Sequence, residues 1–203
     1  MKTIGIELNH VVRNINRQIL RYYQKGVDPS LDIDDLDDRT DVFEKYAKFD
    51  SKMAKYNFTY IDYPYELFGC ASTMEKGLSA KITMWLSEIT NIEDDEVRVI
   101  FYSMNEEELT IQSTYFFLSK IGTRVRKVIF PRKVSEVWDE CDVVVTANPA
   151  LFEDDSDNKG KIVLINRDFN EKYKEKAFLN YDNLSEIIDD NDFFKKIGFE
   201  HEE

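Results

Sequence analysis

Polar residues stand at the ends of several apolar, strand-like runs, and their types suit nucleophilic or metal-ligand chemistry. They are Glu7, Asn9, Ser103 and Thr146. In an open parallel sheet the carboxyl ends of the strands share one edge, where ligands bind, so we expect these four residues to converge.

Other candidate groups are few. A basic cluster could hold an anion, although we interpret it as ordinary surface; its members are Arg124, Arg126, Lys127, Arg132 and Lys133. The only histidines are His10 and His201, and His201 lies in the charged terminal segment, so a metal site built on imidazole ligands is nearly excluded. We expect His10 to cap the first helix; the alternative is that it orients a ligand.

The elements that would position these residues follow from the apolar pattern. Predicted strands are Thr3–Leu8, Val97–Tyr102, Val125–Phe130, Asp142–Val145 and Ile162–Ile165. Predicted helices are Val11–Gln24, Glu106–Ile121, Val134–Trp138 and Leu184–Lys196. Apolar strands that alternate with helices predict an α/β fold of the Rossmann-like kind, with one parallel sheet and helices on both faces.

The segment 28–92 interrupts this alternation and is predicted to be a mainly helical, cap-like insertion. Residues 1–27 and 93–203 then form the core domain. The predicted helices of the insertion are Val42–Tyr56 and Thr73–Ile89, and an aromatic run, Asn57–Phe68, lies between them. The aromatic run could line a ligand cleft, but we favour a role in packing the insertion onto the core domain.

Composition bounds the class of protein. With 42% hydrophobic residues the chain can bury a large core, which excludes general disorder.

The net charge of −13 makes nucleic acid an unlikely partner, because phosphates are repelled. No apolar stretch reaches the roughly 20 residues that span a membrane. Cys70 and Cys141 suggest no disulfide framework, and Cys141 is expected to be a small core residue, so we predict a cytoplasmic protein.

A resemblance to a known family is carried by the run Ile4-Gly5-Ile6-Glu7-Leu8-Asn9-His10-Val11-Val12. It resembles the first motif of the haloacid-dehalogenase-like (HAD) superfamily, particularly the 5′-nucleotidase-like branch, which reads apolar-Gly-apolar-Asp-x-Asp-Gly-Val-Leu. Ser103 is similar to the serine or threonine of the second motif, and either Arg132 or Lys133 to the lysine of the third. Residues 142–149 resemble the fourth motif, and the insertion lies where this family has a helical cap.

The resemblance implies phosphoryl transfer to an aspartate, with a second aspartate as acid and base and Mg²⁺ held by carboxylates. The nucleophile position is Glu7, whose extra methylene displaces the attacking oxygen by about 1 Å or more, a costly misplacement. The second position is Asn9, whose amide cannot shuttle a proton. His10 takes the glycine position, and Thr146 and Ala147 replace the acid pair of the fourth motif.

Together these departures predict lost catalysis. Five positions are then vestigial, with no catalytic role and no cofactor: Glu7, Asn9, Ser103, Lys133 and Thr146. We expect a non-catalytic HAD-like domain, a pseudoenzyme that acts as a structural or protein-interaction module in a larger assembly such as a phage particle (a virion location). The alternative is a Mg²⁺-dependent phosphatase or 5′-nucleotidase that uses Glu7 in place of the aspartate.

Overall fold

A six-stranded, all-parallel sheet forms the centre of the molecule. The structure, a computed structural model, describes residues 2–33, 43–90, 97–123, 127–155, 157 and 159–199. The strands are β1 (Lys2–Glu7), β2 (Val97–Tyr102), β3 (Val128–Ile129), β4 (Val143–Thr146), β5 (Lys161–Ile165) and β6 (Leu179–Tyr181). They lie in the order β3-β2-β1-β4-β5-β6. The predicted α/β fold of the Rossmann-like kind, with a parallel sheet, is confirmed.

Helices occupy most of the connections between strands. They are α1 (Ile15–Gly26), α2 (Phe43–Tyr46), α3 (Lys52–Tyr56), α4 (Leu78–Thr90), α5 (Glu108–Lys120), α6 (Val134–Trp138), α7 (Ala150–Glu153), α8 (Leu184–Asp189) and α9 (Phe193–Lys196). Two π-helical segments, Asn57–Asp62 and Tyr65–Gly69, and a 3₁₀ helix, Asp168–Lys176, complete the set. Among the described residues, none of these helices is long and apolar enough to cross a membrane.

Helices cover both faces of the sheet. On one face, β1, β4 and β5 pack against α4, α5, α8 and α9 in a cluster that includes Ile4, Ile6, Ile82, Phe117 and Phe193. On the other face, β2 and β4 pack against α6 and α7 in a cluster that includes Ile100, Tyr102, Val144, Trp138 and Leu151. Burial on both faces explains why the strands are almost continuously apolar.

Gly5 allows a close approach between β1 and the segment that leads into β4. A Cβ atom at this position would lie 2.5 Å from Cys141 Sγ and 3.3 Å from a ring carbon of Tyr102. A larger residue would therefore have to push the buried Cys141 away. Cys141 is a small residue of the core, as expected.

The insertion and α1 together form a second, smaller hydrophobic core. Ile19 and Tyr23 of α1 belong to a cluster with Phe58, Leu67 and Phe68. The aromatic run thus packs the insertion onto α1, as expected. Helix α4, which the sequence places in the insertion, packs instead in the main cluster of the sheet. The division into two domains stays a prediction, and its boundary at residues 92 and 93 lies outside the described residues.

Two predicted helices begin later than expected, since α1 starts at Ile15 instead of Val11 and α4 at Leu78 instead of Thr73. Two others are interrupted. The first, Val42–Tyr56, is broken into α2 and α3, and Val42 itself lies outside the described residues. The second, Leu184–Lys196, is broken at Asp190, whose carboxylate accepts bonds from the Asp192 N–H (3.1 Å) and the Tyr181 hydroxyl (2.5 Å). Such local bonds compete with helix formation. Strand β6 was not predicted, and the predicted start of the third strand, Val125, is also outside the described part of the chain.

Candidate functional site

The sheet topology brings the ends of three strands together. Neighbouring strands β2, β1 and β4 end at Tyr102, Glu7 and Thr146, all at the same edge. Four of the five sequence-predicted site residues form two bonded pairs there. Thr146 Oγ1 donates to Glu7 Oε2 (2.5 Å), and Asn9 Nδ2 donates to Ser103 Oγ (3.4 Å).

The fifth predicted position, Lys133, is exposed at the start of α6. Its neighbour Arg132 is also exposed and forms a long ion pair with Glu107 (3.5 Å). In the described structure no hydrogen bond joins either side chain to Glu7, Asn9 or Ser103. The interpretation of these two basic residues as surface agrees with this placement, while Arg124 and Arg126 lie outside the described residues.

A residue that sequence reasoning missed, Arg13, lies at the centre of the site. Its side chain is fully buried, and its guanidinium forms a 2.6 Å ion pair with the equally buried carboxylate of Glu106. The other acceptors are Asn9 Oδ1 (2.9 Å from Nε), Phe68 O (3.1 Å from Nη1), Thr114 Oγ1 (2.6 Å from Nη1) and Ser103 Oγ (3.3 Å from Nη2). All five N–H groups of the guanidinium therefore have an acceptor.

These residues, together with the Phe68 carbonyl, are called the Arg13 network below. Thr114 completes it by donating to both oxygens of Glu106 at 2.8 Å. The guanidinium carbon also lies 5.0 Å from the ring centre of Phe68 and 5.5 Å from that of Phe117, so aromatic faces shield it from water. Burial lowers the pKa of Arg13, and the charge and hydrogen bond of Glu106 oppose this shift.

The turn between β1 and α1 places Arg13. His10 adopts a φ of 65°, and the Leu8 carbonyl accepts bonds from the N–H groups of both Val12 (3.0 Å) and Arg13 (2.7 Å). The left-handed region favours glycine, so the surroundings must hold His10 there. Arg167 does so by donating from Nε (3.2 Å) and Nη2 (2.7 Å) to the His10 carbonyl.

His10 does not cap the first helix, so that expectation is wrong. Helix α1 begins at Ile15, and Asn14 caps it by accepting a bond from the Arg17 N–H at 3.2 Å. Asn is a preferred capping residue, and Asn14 directly precedes the first residue of α1, so Asn14 caps the helix instead of His10. Burial, with the charges of Arg167 and Arg13, lowers the pKa of His10 to about 4, so its imidazole is neutral at pH 7.

Glu7 is held apart from the Arg13 network. Its carboxylate is almost fully buried and accepts bonds from the Thr146 hydroxyl and from the Ala147 N–H (3.1 Å). Burial raises the pKa of Glu7 to about 7, and the bonds to Thr146 and Ala147 oppose this shift only in part. The Glu7 carboxyl group therefore holds its proton to higher pH than an exposed glutamate does.

These residues do not fit the Mg²⁺ that the resemblance implies. Mg²⁺ prefers hard carboxylate oxygens and keeps several waters. Glu7 is buried, partly protonated and already bonded, and the Glu106 carboxylate is engaged by Arg13 and Thr114. Within the described residues, no group of three acidic, histidine or cysteine side chains is placed to hold a metal ion.

A cavity of about 410 Å³ lies between the sheet edge and the insertion. Its sheet side is formed by Asn9, His10, Met104 and Asn105, and α1 contributes Ile15, Asn16 and Ile19. The insertion contributes Lys52, Lys55, Tyr56, Thr59, Tyr60 and Phe68. The aromatic run therefore lines a cleft as well as packing the insertion, which reconciles the two interpretations of that run.

Comparison with models of known protein families finds no match, and comparison with curated proteins finds none either. The likeness to the HAD superfamily therefore rests on the residues of this chain alone, and membership stays a prediction.

Replacing Arg13 by methionine should lower the free energy of unfolding by about 3–5 kcal/mol, because the Glu106 carboxylate would stay buried without its partner. Urea denaturation measures this. Lys81→Met is the control, since Lys81 pairs with Asp189 at 2.5 Å but both side chains are exposed. That substitution should change the free energy by no more than about 1 kcal/mol. Equal losses in the two variants would contradict a buried Arg13 network.

Replacing Glu7 by glutamine should stabilise the protein relative to wild type as the pH rises. The folded pKa of Glu7 is raised from 4.5 to about 7, so its protonated form favours folding below pH 4.5 and this contribution is lost as the pH passes 7. The difference in free energy of unfolding, variant minus wild type, should therefore grow between these two values. In a Thr146→Val background the growth should start at the same pH but extend to higher pH, because the Thr146 bond lowers the folded pKa of Glu7 and leaves the unfolded pKa unchanged. If the difference in free energy of unfolding between the variant and wild type does not depend on pH, the raised pKa of Glu7 is refuted.

Proposed function

We propose that this chain is a non-catalytic HAD-like domain with a structural or protein-binding role. The observation that carries the proposal is the Arg13 network, which occupies the space beyond β1 and β2. Asn9 and Ser103, at positions that resemble the acid–base and phosphate-binding positions of the family, both bond to the guanidinium of Arg13. A phosphate at this place would have to displace bonds that the protein makes with itself.

The state of Glu7 supports the same proposal. An attacking carboxylate must be ionised and free to approach phosphorus. Glu7 is instead buried, which raises its pKa to about 7, and its Oε2 accepts bonds from Thr146 and Ala147. Glu7 and Asn9 stand at the positions of the nucleophile and of the acid–base group, which act as a unit in phosphoryl transfer. Both side chains are bonded to other residues of the protein.

The backbone of the first motif supports the HAD-like part of the proposal. His10, at the glycine position of the motif, has the positive φ that favours glycine. Gly5, the other glycine position of the motif, lies against Cys141 where no side chain fits. The order of elements, with an insertion after the first helix, agrees with a degenerate member of this superfamily.

An exposed apolar face supports a protein-binding role, in the cytoplasm or in an assembly such as a virion. Leu109, Tyr115 and Phe116 of α5 are 42–51% exposed, and Tyr65 of the insertion contacts Phe116 with ring centres 5.0 Å apart. Proteins that co-purify with the native chain should be lost on Phe116→Asp. They should be retained on Met84→Asp, which changes an exposed residue of α4 outside this face.

The full chain should release no phosphate from p-nitrophenyl phosphate or AMP in the presence of Mg²⁺. Because the Glu7 carboxyl group is buried and bonded to Thr146 and Ala147, and the Asn9 amide cannot transfer a proton, most of the rate should be lost. The measurement is phosphate release by wild type and by Glu7→Ala, whose folding is checked by circular dichroism. Both should equal the rate without protein. Magnesium-dependent turnover that Glu7→Ala abolishes would instead favour the rival function, a phosphatase or 5′-nucleotidase that uses Glu7.

A further inference from the structure

The outer side of α5 is as poor in charge as its buried side. Residues 109–119 of this helix include no charged side chain, although 33% of the residues in the chain are charged. Leu109, Tyr115 and Phe116 are 42–51% exposed, and their exposed neighbours Gln112 and Ser119 are uncharged. A surface helix normally turns charged residues to water, and a helix without a charged side is normally covered on all sides. The composition of α5 therefore indicates that another molecule covers it.

The exposed apolar surface continues from α5 onto two neighbouring elements. Tyr65 of the insertion, itself 47% exposed, contacts Phe116 with ring centres 5.0 Å apart. Phe130, which directly follows β3, contacts Tyr115 with ring centres 5.6 Å apart. We call the surface formed by Tyr65, Leu109, Tyr115, Phe116 and Phe130 the α5 face.

The size of the α5 face fits the centre of a protein interface. Tyr65, Tyr115 and Phe116 are each about half exposed. Since an aromatic side chain buries about 150–250 Å² when it is fully covered, these three rings alone present about 200–350 Å². This area is comparable with the largest apolar patches that soluble monomers leave open, and such patches are often binding sites. Aromatic residues are also enriched at the centres of interfaces.

The two ends of α5 carry opposite charges. Glu108 is exposed in the first turn, and Lys120 is exposed in the last turn. The ammonium group of Lys120 is held in place, because it donates to the carbonyls of Gly69 (3.1 Å) and Ala71 (2.7 Å). The α5 face is therefore uncharged at its centre, with a negative charge at one end and a positive charge at the other.

A second copy of the chain fits this distribution of charge. A two-fold symmetric dimer needs a surface that is complementary to itself, and such dimers are the commonest oligomers of soluble proteins. If the partner helix runs antiparallel, each acidic first turn lies beside a basic last turn, whereas parallel helices would bring the two acidic turns together. Two copies with a net charge of −13 repel each other over most of their surfaces, and the uncharged centre of the α5 face avoids this repulsion.

We propose that the α5 face binds a second copy of this chain in a two-fold symmetric dimer, in which the two α5 helices pack antiparallel. With the symmetry axis at the middle of Glu108–Lys120, Leu109 lies at a level between the partner's Phe116 and the partner's Lys120, and Glu108 lies at the level of the partner's Lys120. The inference rests on the protein-binding role proposed above and identifies the partner.

The experiment is sedimentation velocity of the purified full chain over a range of concentrations. Wild type should pass from monomer to dimer with a Kd of about 1–100 µM, as expected for an interface near the lower end of the usual size. Phe116→Asp and Leu109→Asp should each raise this Kd at least about tenfold, because they bury a charge at the centre of the interface. Leu109→Asp lies in the first turn of α5, where an acidic residue favours the helix, so its fold is retained.

The matched control for these two variants is Met84→Asp. It adds the same charge at an exposed apolar residue of α4, outside the α5 face, and should dimerise like wild type. Circular dichroism of all the variants checks that each of them is folded.

A second pair of variants tests the antiparallel direction. Glu108→Lys and Glu175→Lys make the net charge less negative by the same amount, so both reduce the general repulsion between copies. Glu175 is exposed on the 3₁₀ helix that joins β5 to β6, at the opposite edge of the sheet from β3. Glu175→Lys should therefore keep or lower the Kd of the dimer. Glu108→Lys should raise it about threefold or more, because the new ammonium group lies near the partner's Lys120.

Three results would overturn the proposal. They are a purified wild-type chain that stays monomeric up to about 200 µM, a Met84→Asp variant that loses as much affinity as the variants of the α5 face, and a Glu108→Lys variant that dimerises as tightly as Glu175→Lys. If the chain stays monomeric while Phe116→Asp still removes co-purifying proteins, the protein-binding role stands and the second copy is rejected as the partner. Phosphatase activity would reject the non-catalytic role and leave the dimer unaffected.

Discussion

The buried ion pair of Arg13 and Glu106 is the interaction on which the arrangement of this protein depends. Moving two charges out of water costs several kcal/mol for each ion, and their attraction offsets this only if the remaining donors and acceptors are also paired. The structure meets the condition by drawing partners from separate elements. Asn9 comes from the turn after β1, Ser103 from the end of β2, Thr114 from α5, and the Phe68 carbonyl from the insertion.

This requirement ties the insertion to the sheet. If Phe68 moved away, one N–H group of Arg13 would lose its acceptor inside a site that water does not reach. Lys120 of α5 reinforces the link by donating to the carbonyls of Gly69 (3.1 Å) and Ala71 (2.7 Å). Apolar replacements of buried ion pairs are often neutral or stabilising, so the network bears on the relative placement of these elements more than on net stability.

Sequence reasoning recovered the sheet because its strands are apolar on both sides, a pattern that local composition displays directly. Short or interrupted elements were out of reach: β6 has three residues, and the break at Asp190 depends on the hydroxyl of Tyr181, nine positions away. The π-helical form of the aromatic run gave no local signal. Convergence of Glu7 with Thr146 and of Asn9 with Ser103 followed from topology alone.

The Arg13 network could not be predicted in the same way. An arginine between a strand and a helix has the appearance of surface, and its partner Glu106 is 93 positions further along the chain. One signal pointed to Glu106, because it directly follows the loop Ser103–Asn105 at the carboxyl ends of the parallel strands. Pairing the two charges still required the packing of α5 against the insertion, which no local pattern encodes.

The most direct measurement of the central claim is ¹H–¹⁵N NMR of the guanidinium groups at neutral pH, with the Arg13 signals assigned by their loss in Arg13→Lys. Five paired N–H groups in a water-excluded site should give separate signals that exchange slowly with solvent. These signals should not change when inorganic phosphate and Mg²⁺ are added together. Averaged, rapidly exchanging signals, or shifts on addition of phosphate, would contradict a site that the protein has closed with its own side chains.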